Sequence, residues 1–395
     1  MLNKVIKFTS ISKYFLVAFI IFAFFSLINA QNSFTIMGKV TDKKTGAPLP
    51  IVNVYLSETA IGSTTDENGN YSITGIPEGK YSLVVSIIGY KPVIKYLVLK
   101  GEKELTQNFS LIEVIYNLDE INVKAELPKK WLNQLEFFRE LFLGNNQFAG
   151  DCIIENETKL EFYEDENYFK ASINEPLLVL NNALGYKINC VIRSFSFNKV
   201  KKKISMEVYP GFTEITTSNA DTTDQYYNNR EKSYTGSLAH FLTLLTDSTK
   251  NIYDEGFVVS FIKDNRTHRG INSPKLSVIY NPQFDTYVLN PSHWGINSPK
   301  LLVIYNPQFD TYVLNPSQLT KKRYDFYVDG ILINYSNIKD HVSRIDILHD
   351  SGAEFDPAGY FLNVGEFAIQ GYMAGEGIAT MLPRFYKPNG EINND

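Results

Sequence analysis

The stretch TDENGNYSITGIPEGKYSLVVSIIGY, residues 65–90, decides the fold of the N-terminal part of the chain. It predicts two strands, two sharp turns and a third strand. Asn68-Gly69 can take the left-handed dihedrals of a tight hairpin turn. The run Ile76-Pro77-Glu78-Gly79 places proline where φ is held near about −65° and glycine at the end of a turn. Each turn therefore has residues suited to its backbone.

The last strand of this stretch, KYSLVVSIIGY, has two different faces. Its odd-numbered residues from Tyr81 to Ile87 are apolar and share one face, whereas Ser82 and Ser86 fall on the other. This alternation predicts a sheet that is dry on one side only. Six or seven short strands between residues 33 and 112 would make a small antiparallel sandwich.

The wider stretch from residue 38 to residue 92 resembles the carboxypeptidase-regulatory-like domain, a prealbumin-like sandwich of seven strands. The family pattern is G-x-V-x-D, G-x-P-L, T-D-x-x-G-x-Y, P-x-G-x-Y and G-Y. The residues that fill it are Gly38, Val40, Asp42, Gly46, Pro48, Leu49, Thr65, Asp66, Gly69, Tyr71, Pro77, Gly79, Tyr81, Gly89 and Tyr90. Such domains stand beside zinc carboxypeptidases and at the front of outer-membrane nutrient receptors in Bacteroidetes, so the resemblance by itself implies no one function.

The N-terminus is typical of a cleaved secretory signal, residues 1–30. Lys4, Lys7 and Lys13 precede the apolar run YFLVAFIIFAFFSLI, and the small residue Ala30 precedes polar sequence. A membrane anchor is the alternative, but a bilayer span needs about twenty apolar residues. We therefore expect an exported protein, periplasmic or outer-membrane-associated, with no transmembrane segment after cleavage.

The charge of the chain argues against some partners. The formal charge is −5, and loss of the three lysines of the signal makes it −8. Nucleic acid needs a basic patch, so it is not expected as a partner. The one basic cluster, KVKKK at residues 199–203, is interpreted as a solvated hairpin turn.

An extended linker is expected at residues 113–130, before a second domain. Residues 118–123, LDEINV, resemble the segment that joins the sandwich to the plug of TonB-dependent receptors. A plug and barrel would need many hundreds of further residues, and only 267 follow Pro128. On these grounds we do not expect a complete transporter of this type.

Residues 131–395 are predicted to form an α+β domain of unknown function, built on an antiparallel sheet with a few helices. One helix is WLNQLEFFRELFLG, in which apolar residues recur from Trp131 to Phe142 and Gly144 is the stop. A second helix should begin after Ser237 as its N-cap. Its expected buried stripe consists of Leu238, Phe241, Leu242 and Leu245.

The second domain also resembles the C-terminal part of Bacteroidetes proteins that carry the sandwich and have no assigned activity. The matching stretches are the helix led by Trp131 and residues 175–186, 228–242, 255–259 and 382–388. The sequence departs from that pattern in GYMAGEGIATMLP, where Met373 and Gly377 stand in place of tryptophan and arginine.

A tandem duplication lies inside this domain. Residues 268–292 recur as residues 293–317, with differences only at Arg269/Trp294 and Ser277/Leu302. A solenoid is the alternative, but solenoids need at least three units. Each copy can form a hairpin, and we expect the two copies to differ in environment.

The sequence contains no recognisable catalytic or metal motif. Zinc sites are usually seeded by H-x-x-E or H-E-x-x-H, and none of the five histidines has glutamate three residues later. This excludes a zinc carboxypeptidase, and we expect no metal or other cofactor. The acidic cluster at residues 161–166 is interpreted as a solvated turn.

One cluster of side chains is the candidate binding site. Arginine beside tyrosines can stack on and hydrogen-bond a sugar, a peptide or a partner surface. The alternative is an arginine and a histidine that satisfy backbone carbonyls between packed layers. The residues are Tyr226, Tyr227, Asn229, Arg230, Tyr234 and His240.

Cys152 and Cys190 are the only cysteines, and in an oxidising compartment they permit one disulfide. Two separately buried thiols explain the pair equally well.

Taken together, the sequence predicts a non-enzymatic binding or scaffolding protein of the bacterial cell envelope, with a glycan, a peptide or an envelope protein as its partner. The alternative is a cryptic periplasmic hydrolase that acts on glycan or peptide.

Overall fold

The structure is a computed structural model, and it describes residues 33–114, 127–247, 249–250, 255, 257–263, 266–267, 278–281, 286–289, 300–305, 325–328, 331–334, 342–347, 353–356, 358–360, 367–371, 373 and 376–388. The predicted signal segment, most of the predicted linker and most of both repeat copies lie outside these residues. Strands predominate, in several sheets, with three α-helices among the described residues. The predicted class is confirmed: an N-terminal sandwich is followed by antiparallel sheets with a few helices.

The sandwich consists of two four-stranded sheets that enclose one apolar core. One sheet has the order β4-β1-β7 with β8 also on β1, and the other has the order β3-β2-β5-β6. The strands are β1 Phe34–Asp42, β2 Asn53–Leu56, β3 Gly62–Thr64, β4 Asn70–Ile76, β5 Gly79–Ser86, β6 Val93–Leu99, β7 Glu104–Thr106 and β8 Phe109–Leu111.

Two details of the sandwich differ from the prediction. The last strand is split at Gln107-Asn108 into β7 and β8, so there are eight strands and not seven, and both pieces run parallel to β1. The split coincides with Gly38, since a Cβ there would lie 1.7 Å from the Gln107 carbonyl oxygen. The chain passes too close to Gly38 for any side chain at that position.

The turn at Asn68-Gly69 forms, with Gly69 at φ 75° and the Asp66 carboxylate accepting from the Asn68 and Asn70 amides. It does not close a hairpin, because β3 pairs with β2 whereas β4 pairs with β1. The turn therefore carries the chain from one sheet of the sandwich to the other.

The second region begins with helix α1, Lys129–Leu143, which ends at Gly144 as predicted. It packs on a six-stranded antiparallel sheet of order β10-β11-β13-β12-β9, with β14 also on β13. Phe138 and Phe142 are fully buried in this interface, and Phe138 contacts Phe195 edge to face at 5.0 Å. The strands are β9 Cys152–Ile154, β10 Glu161–Glu164, β11 Tyr168–Ser172, β12 Leu177–Asn181, β13 Tyr186–Asn198 and β14 Lys203–Glu214.

Of the two turns predicted on this sheet, the basic one is confirmed, whereas the acidic cluster at residues 161–166 is only partly a turn, because Glu161–Glu164 form strand β10. Residues 199–202 connect β13 to β14 and expose Lys201 and Lys202, whereas Lys199 is partly buried and pairs with Glu164 at 2.7 Å. The Asp165 carboxylate accepts from the Asn167 and Tyr168 amides, and it caps the turn between β10 and β11. The basic cluster is therefore a turn, and the acidic cluster consists of strand β10 followed by the turn at Asp165.

Two further helices follow, α2 Ala220–Tyr234 and α3 Leu238–Thr246. Ser237 caps α3 as predicted, because its hydroxyl accepts from the His240 amide. The buried stripe of α3 is Phe241, Leu242 and Leu244, so Leu244 takes the place predicted for Leu245, and Leu238 is only partly buried.

The remaining strands form a five-stranded sheet of order β16-β15-β19-β22-β24, a three-stranded sheet of order β17-β18-β23 and the pair β20-β21. Their bounds are β15 Phe257–Lys263, β16 Arg266–Thr267, β17 Val278–Asn281, β18 Thr286–Leu289, β19 Lys300–Tyr305, β20 Asp325–Val328, β21 Ile331–Asn334, β22 Val342–Ile347, β23 Ala353–Phe355 and β24 Phe367–Gly371.

The two repeat copies pair differently. In the first copy β17 and β18 form a hairpin, whereas in the second copy β19 lies between β15 and β22 in the five-stranded sheet. Val278 and its equivalent Val303 therefore have different strand neighbours. We expect the two hairpins to differ in burial, for example at Tyr280 and its equivalent Tyr305, but the burial of these side chains lies outside what the structure describes.

The disulfide that the sequence permits does not form, since Cys152 and Cys190 are free thiols. β12 lies between the two strands that carry them, with Cys152 opposite Asn181 and Cys190 opposite Leu177. The cysteines are thus four residues apart along β12 and on opposite sides of it. Strand geometry places their Cα atoms well beyond the limit of about 7 Å for a bridge.

Candidate functional site

The second region covers the outer face of β5 in the sandwich. The sequence predicted that this face, which carries Ser86, would be exposed to solvent, and that prediction is wrong. Ser86 and Val84 are both fully buried, and Val84 packs with Tyr55, Val191 and Tyr209. The buried Ser86 hydroxyl accepts a hydrogen bond from the Asn189 side-chain amide at 3.1 Å. A serine in this strand can therefore be buried, because its polar group has a partner in the second region.

Tyr55 inserts most deeply across this junction. Its hydroxyl lies 3.0 Å from the Asn189 and Tyr209 carbonyl oxygens and donates between them. Its ring lies against Gly211, where a Cβ would come within 2.4 Å of ring carbons. The sandwich and the β13–β14 hairpin are therefore packed closely enough to require a glycine.

A buried ion pair holds the C-terminal segment against the same junction. The Arg384 guanidinium pairs with Asp356, and the two residues are only 7% and 2% exposed. Arg384 also donates to the Lys80 carbonyl oxygen at 3.1 Å, and its guanidinium carbon lies 4.8 Å from the centre of the Tyr81 ring. One arginine therefore contacts both parts of the molecule.

A cavity of about 320 Å³ lies beside this ion pair. Its walls come from the sandwich, from the junction between α2 and α3, and from the C-terminal segment. The lining includes Glu58, Tyr234, Leu238, Tyr360, Glu376, Met381 and Tyr386. This volume is at the lower end of the range of about 300–1,000 Å³ for small-molecule sites.

Two carboxyl groups line the cavity. Burial raises the pKa of Glu376 to about 8, although the Leu238 amide at the start of α3 donates to the carboxylate and opposes that rise. Burial also raises the pKa of Glu58 to about 7; Arg384 opposes this change and Asp356 adds to it. Glu58 has φ 65°, in the left-handed region that non-glycine residues seldom occupy. Perturbed carboxyls and backbone strain both occur preferentially at functional sites.

The residues of the predicted binding cluster fall into two groups. Three of them, on α2, face the turn before β13. The Asn229 amide donates to the Ala183 carbonyl oxygen at 2.9 Å, and the Tyr226 ring lies so close to Gly185 that a Cβ there would be 2.4 Å away.

Arg230 is the third member of this group and is 3% exposed. It donates to the Leu184 and Gly185 carbonyl oxygens at 2.7 and 3.3 Å and pairs with Glu214 at 3.0 Å. Its guanidinium carbon also lies 4.1 Å from the centre of the Tyr186 ring. These contacts match the structural alternative, an arginine that satisfies backbone carbonyls, while Tyr227 beside it is exposed.

The other group, Tyr234 and His240, lies at or near the cavity. Tyr234 lines it, and the ring centres of Tyr234 and His240 are 5.0 Å apart. His240 Nδ1 accepts from the Gly236 amide at 3.1 Å. Burial lowers the pKa of His240 to about 4; Glu255 opposes this change and Lys250 adds to it. His240 is therefore neutral at physiological pH.

Sequence reasoning missed the four charged residues around the cavity, Glu58, Asp356, Glu376 and Arg384. Glu58 lies about 300 positions before the other three, and those three share no spacing that is typical of a known site. A weak signal exists in LPRFYKP, where a single arginine stands among apolar and aromatic residues. Glu376 lies in the stretch where the sequence departs from the pattern of the Bacteroidetes proteins that it resembles. Gly377 beside it has no room for any side chain, because a Cβ would lie 2.3 Å from backbone atoms of Leu143 and Gly144.

Comparison with known proteins identifies the sandwich. Residues 36–123 match the CarboxypepD_reg-like domain family, which confirms the resemblance inferred from the sequence. A TonB-dependent receptor of Formosa agariphila is 36% identical over 113 residues, which cover 27% of this chain and 10% of the receptor. The chain thus spans only a small part of the length of the curated relatives it matches.

Solved structures show weaker similarity. A DUF3823 family protein from Parabacteroides merdae is 14% identical, with 49% of this chain and 84% of that chain covered and a TM-score of 0.16. The group B streptococcus pilus 2b backbone protein is 20% identical, with 20% and 40% covered and a TM-score of 0.17. Scores this far below 0.5 do not identify a shared fold over the whole chain.

Two searches of the described residues were negative. None of their helices has the length and hydropathy to cross a membrane. They also contain no group of three or more histidine, cysteine, aspartate or glutamate side chains placed to hold a metal ion.

Proposed function

We propose that the chain is a non-enzymatic binding protein of the bacterial cell envelope, and that its ligand occupies the cavity at the junction of the two parts. The observation that carries this proposal is the cavity itself, which has apolar walls and a few convergent polar groups. The sandwich supplies one wall through Glu58, so the CarboxypepD_reg-like domain takes part in the site and is not only a spacer.

The rigid junction supports this function. Tyr55, the Arg384–Asp356 pair and the Lys80–Glu354 ion pair at 2.8 Å all connect the sandwich to the second region. A site built across a junction is preorganised only if the junction does not move. The exported location and the partner classes predicted from the sequence, a glycan, a peptide or an envelope protein, are part of the proposal.

The test is a ligand-observed NMR screen of short glycans and peptides against the exported protein. Ala239→Trp should abolish binding, because Ala239 lines the cavity and the indole would fill it. Ala220→Trp is the matched control, since Ala220 is exposed at the start of α2. Binding that survives Ala239→Trp would place the site elsewhere and overturn the proposal.

A second candidate function is hydrolysis, and the observation in its favour is that Glu58 and Glu376 line the same cavity. A protonated and an ionised carboxyl facing one substrate are the usual pair in glycoside hydrolysis. The same screen separates the two functions, since a hydrolase would convert a bound glycan or peptide over hours and Glu376→Gln would stop that conversion. Stable spectra of the bound compounds would exclude hydrolysis of those compounds.

A further inference from the structure

Among the residues that the structure describes, the charges around the cavity do not balance. Four cations that the structure describes near the cavity and the junction are each paired with one acid: Arg384 with Asp356, Lys80 with Glu354 at 2.8 Å, Arg230 with Glu214 at 3.0 Å, and Lys250 with Glu255 at 3.4 Å. Glu376 makes no ion pair with any residue that the structure describes, and the one hydrogen bond to its carboxylate from these residues comes from the Leu238 amide. The cavity therefore presents a carboxyl group for which the described part of the chain provides no counter-ion.

The rest of the lining suits a cation with an apolar body. Tyr234, Tyr360 and Tyr386 line the cavity, and tyrosine rings attract cations through their faces. Leu238, Ile378 and Met381 make the remaining wall apolar. A divalent metal ion would require about six or more oxygen ligands, which these side chains do not offer.

We infer that the cavity takes the primary ammonium group of a small ligand with an alkyl body, such as the end of a lysine side chain, with Glu376 as its counter-ion. This assignment rests on the proposed function, because it names the ligand class of the same cavity. A cation beside Glu376 would repay the cost of burying its carboxylate, which otherwise favours the protonated form.

The test uses a matched pair of probes, cyclohexylamine and cyclohexanol, which share a ring and differ in charge. Titration calorimetry should show the amine binding about tenfold more tightly or better, since a hydrogen bond between charged groups contributes at least this much. Glu376→Gln should remove that preference, so that the two probes bind with equal affinity. Glu161→Gln is the control, because Glu161 is exposed on β10.

A measurement on the unmodified protein keeps the test independent of the variant. The affinity for cyclohexylamine should rise between about pH 6 and about pH 9 as Glu376 ionises, with a contribution from Glu58, whereas the affinity for cyclohexanol should not. The tyrosines that face Glu376 stay protonated in this range, because burial raises the pKa of Tyr234, Tyr360 and Tyr386. Apart from Glu58, the other charges that the structure describes near the cavity are in the ion pairs given above, and His240 is neutral.

The outcomes separate the inference from the proposed function. Equal affinities for the two probes, or a Glu376→Gln variant that keeps the preference, would overturn the ammonium assignment and leave the binding cavity standing. Binding of neither probe would count against both. Tighter binding of glucosamine than of cyclohexylamine would show that the body of the ligand is polar, and would overturn the assignment of an alkyl body.

Discussion

The sandwich and the second region obtain their cores in opposite ways. Every buried residue of the sandwich core lies between Phe34 and Leu111, but the core of the second region extends from Leu135 to Tyr386. In the first, short turns set the path of neighbouring strands. In the second, a segment from the 370s and 380s must return to α1 and β12, where Ile378 donates to the Phe142 carbonyl oxygen at 3.0 Å. A fold made of local turns can be recognised from its sequence, whereas one closed by distant segments cannot.

The largest expected effect comes from Arg384→Met at the junction. It leaves Asp356 buried without its cation, so the free energy of unfolding of the second region should fall by about 3–5 kcal/mol. Urea titration followed by tryptophan fluorescence reports on this region alone, since Trp131 and Trp294 both lie outside the sandwich.

Arg139→Met is the control for this change. Arg139 also pairs with a glutamate, Glu157, but its side chain is 46% exposed, so the loss should be at most about 1 kcal/mol. Equal losses in the two variants would show that the buried pair does not hold the C-terminal segment.

Gly38→Ala should destabilise the sandwich and not the second region. The new Cβ would collide with the Gln107 carbonyl oxygen, and the sandwich should lose about 3 kcal/mol. Hydrogen exchange resolved by peptide should show faster exchange in β1, β7 and β8. Gly150→Ala should be silent, because no atom lies within 4 Å of its Cβ position. Unchanged protection in β1 would show that the backbone can move apart at little cost.

Arg230→Ala decides between the two interpretations of the tyrosine and arginine cluster. The structure predicts a loss of about 2–3 kcal/mol in the second region, because two carbonyl oxygens and Glu214 lose their donor. Lys232→Ala on the same helix is exposed and should change stability by no more than about 0.5 kcal/mol. Unchanged thermal stability of Arg230→Ala would instead favour a binding role.

A smaller effect should appear in the pH dependence of the melting temperature. His240 has a folded pKa of about 4, below its ordinary 6.5. Its contribution to the stability of the folded state is therefore present above about pH 6.5 and is lost as the pH falls towards 4. Glu376 has a folded pKa of about 8, above 4.5, so its contribution is lost as the pH rises from about 4.5 to about 8. His240→Gln should flatten the acid side of the profile and Glu376→Gln the alkaline side. A profile that neither variant changes would contradict both shifts.

The smallest effect is expected from deletion of residues 293–317. The first copy differs from the second at two positions in 25, so its residues 275–280 can take the place of β19 between β15 and β22. The shortened protein should fold with nearly the same stability, since insertions outside a packed core have a small entropic cost. Loss of the cooperative unfolding transition in tryptophan fluorescence would show that both copies are required.

The sequence predicted those features that depend on neighbouring residues. The apolar stripe of α1, its stop at Gly144 and the Ser237 cap of α3 are all encoded within one or two helical turns. Helix α2 was not predicted, because its described side chains bury only Arg230 and Ser233 and show no apolar stripe. The covered face of β5 was not predicted either, since its serines look like solvent-facing residues until the second region is placed beside them. The cavity combines residues more than 300 positions apart, Glu58 and Glu376, and no local pattern links them.

The return of the C-terminal segment also sets an order for folding. The sandwich contains all of its own core and can form as soon as its residues are available. The second region cannot close until the segment around Ile378 and Ala379 reaches Phe142, Leu143 and Asn181. A contact over about two hundred residues forms late, because the long intervening loop must first be ordered. Until then the carbonyl oxygens of Phe142 and Leu143 at the end of α1 lack these donors, so closure of the second region is expected to be the last step of folding.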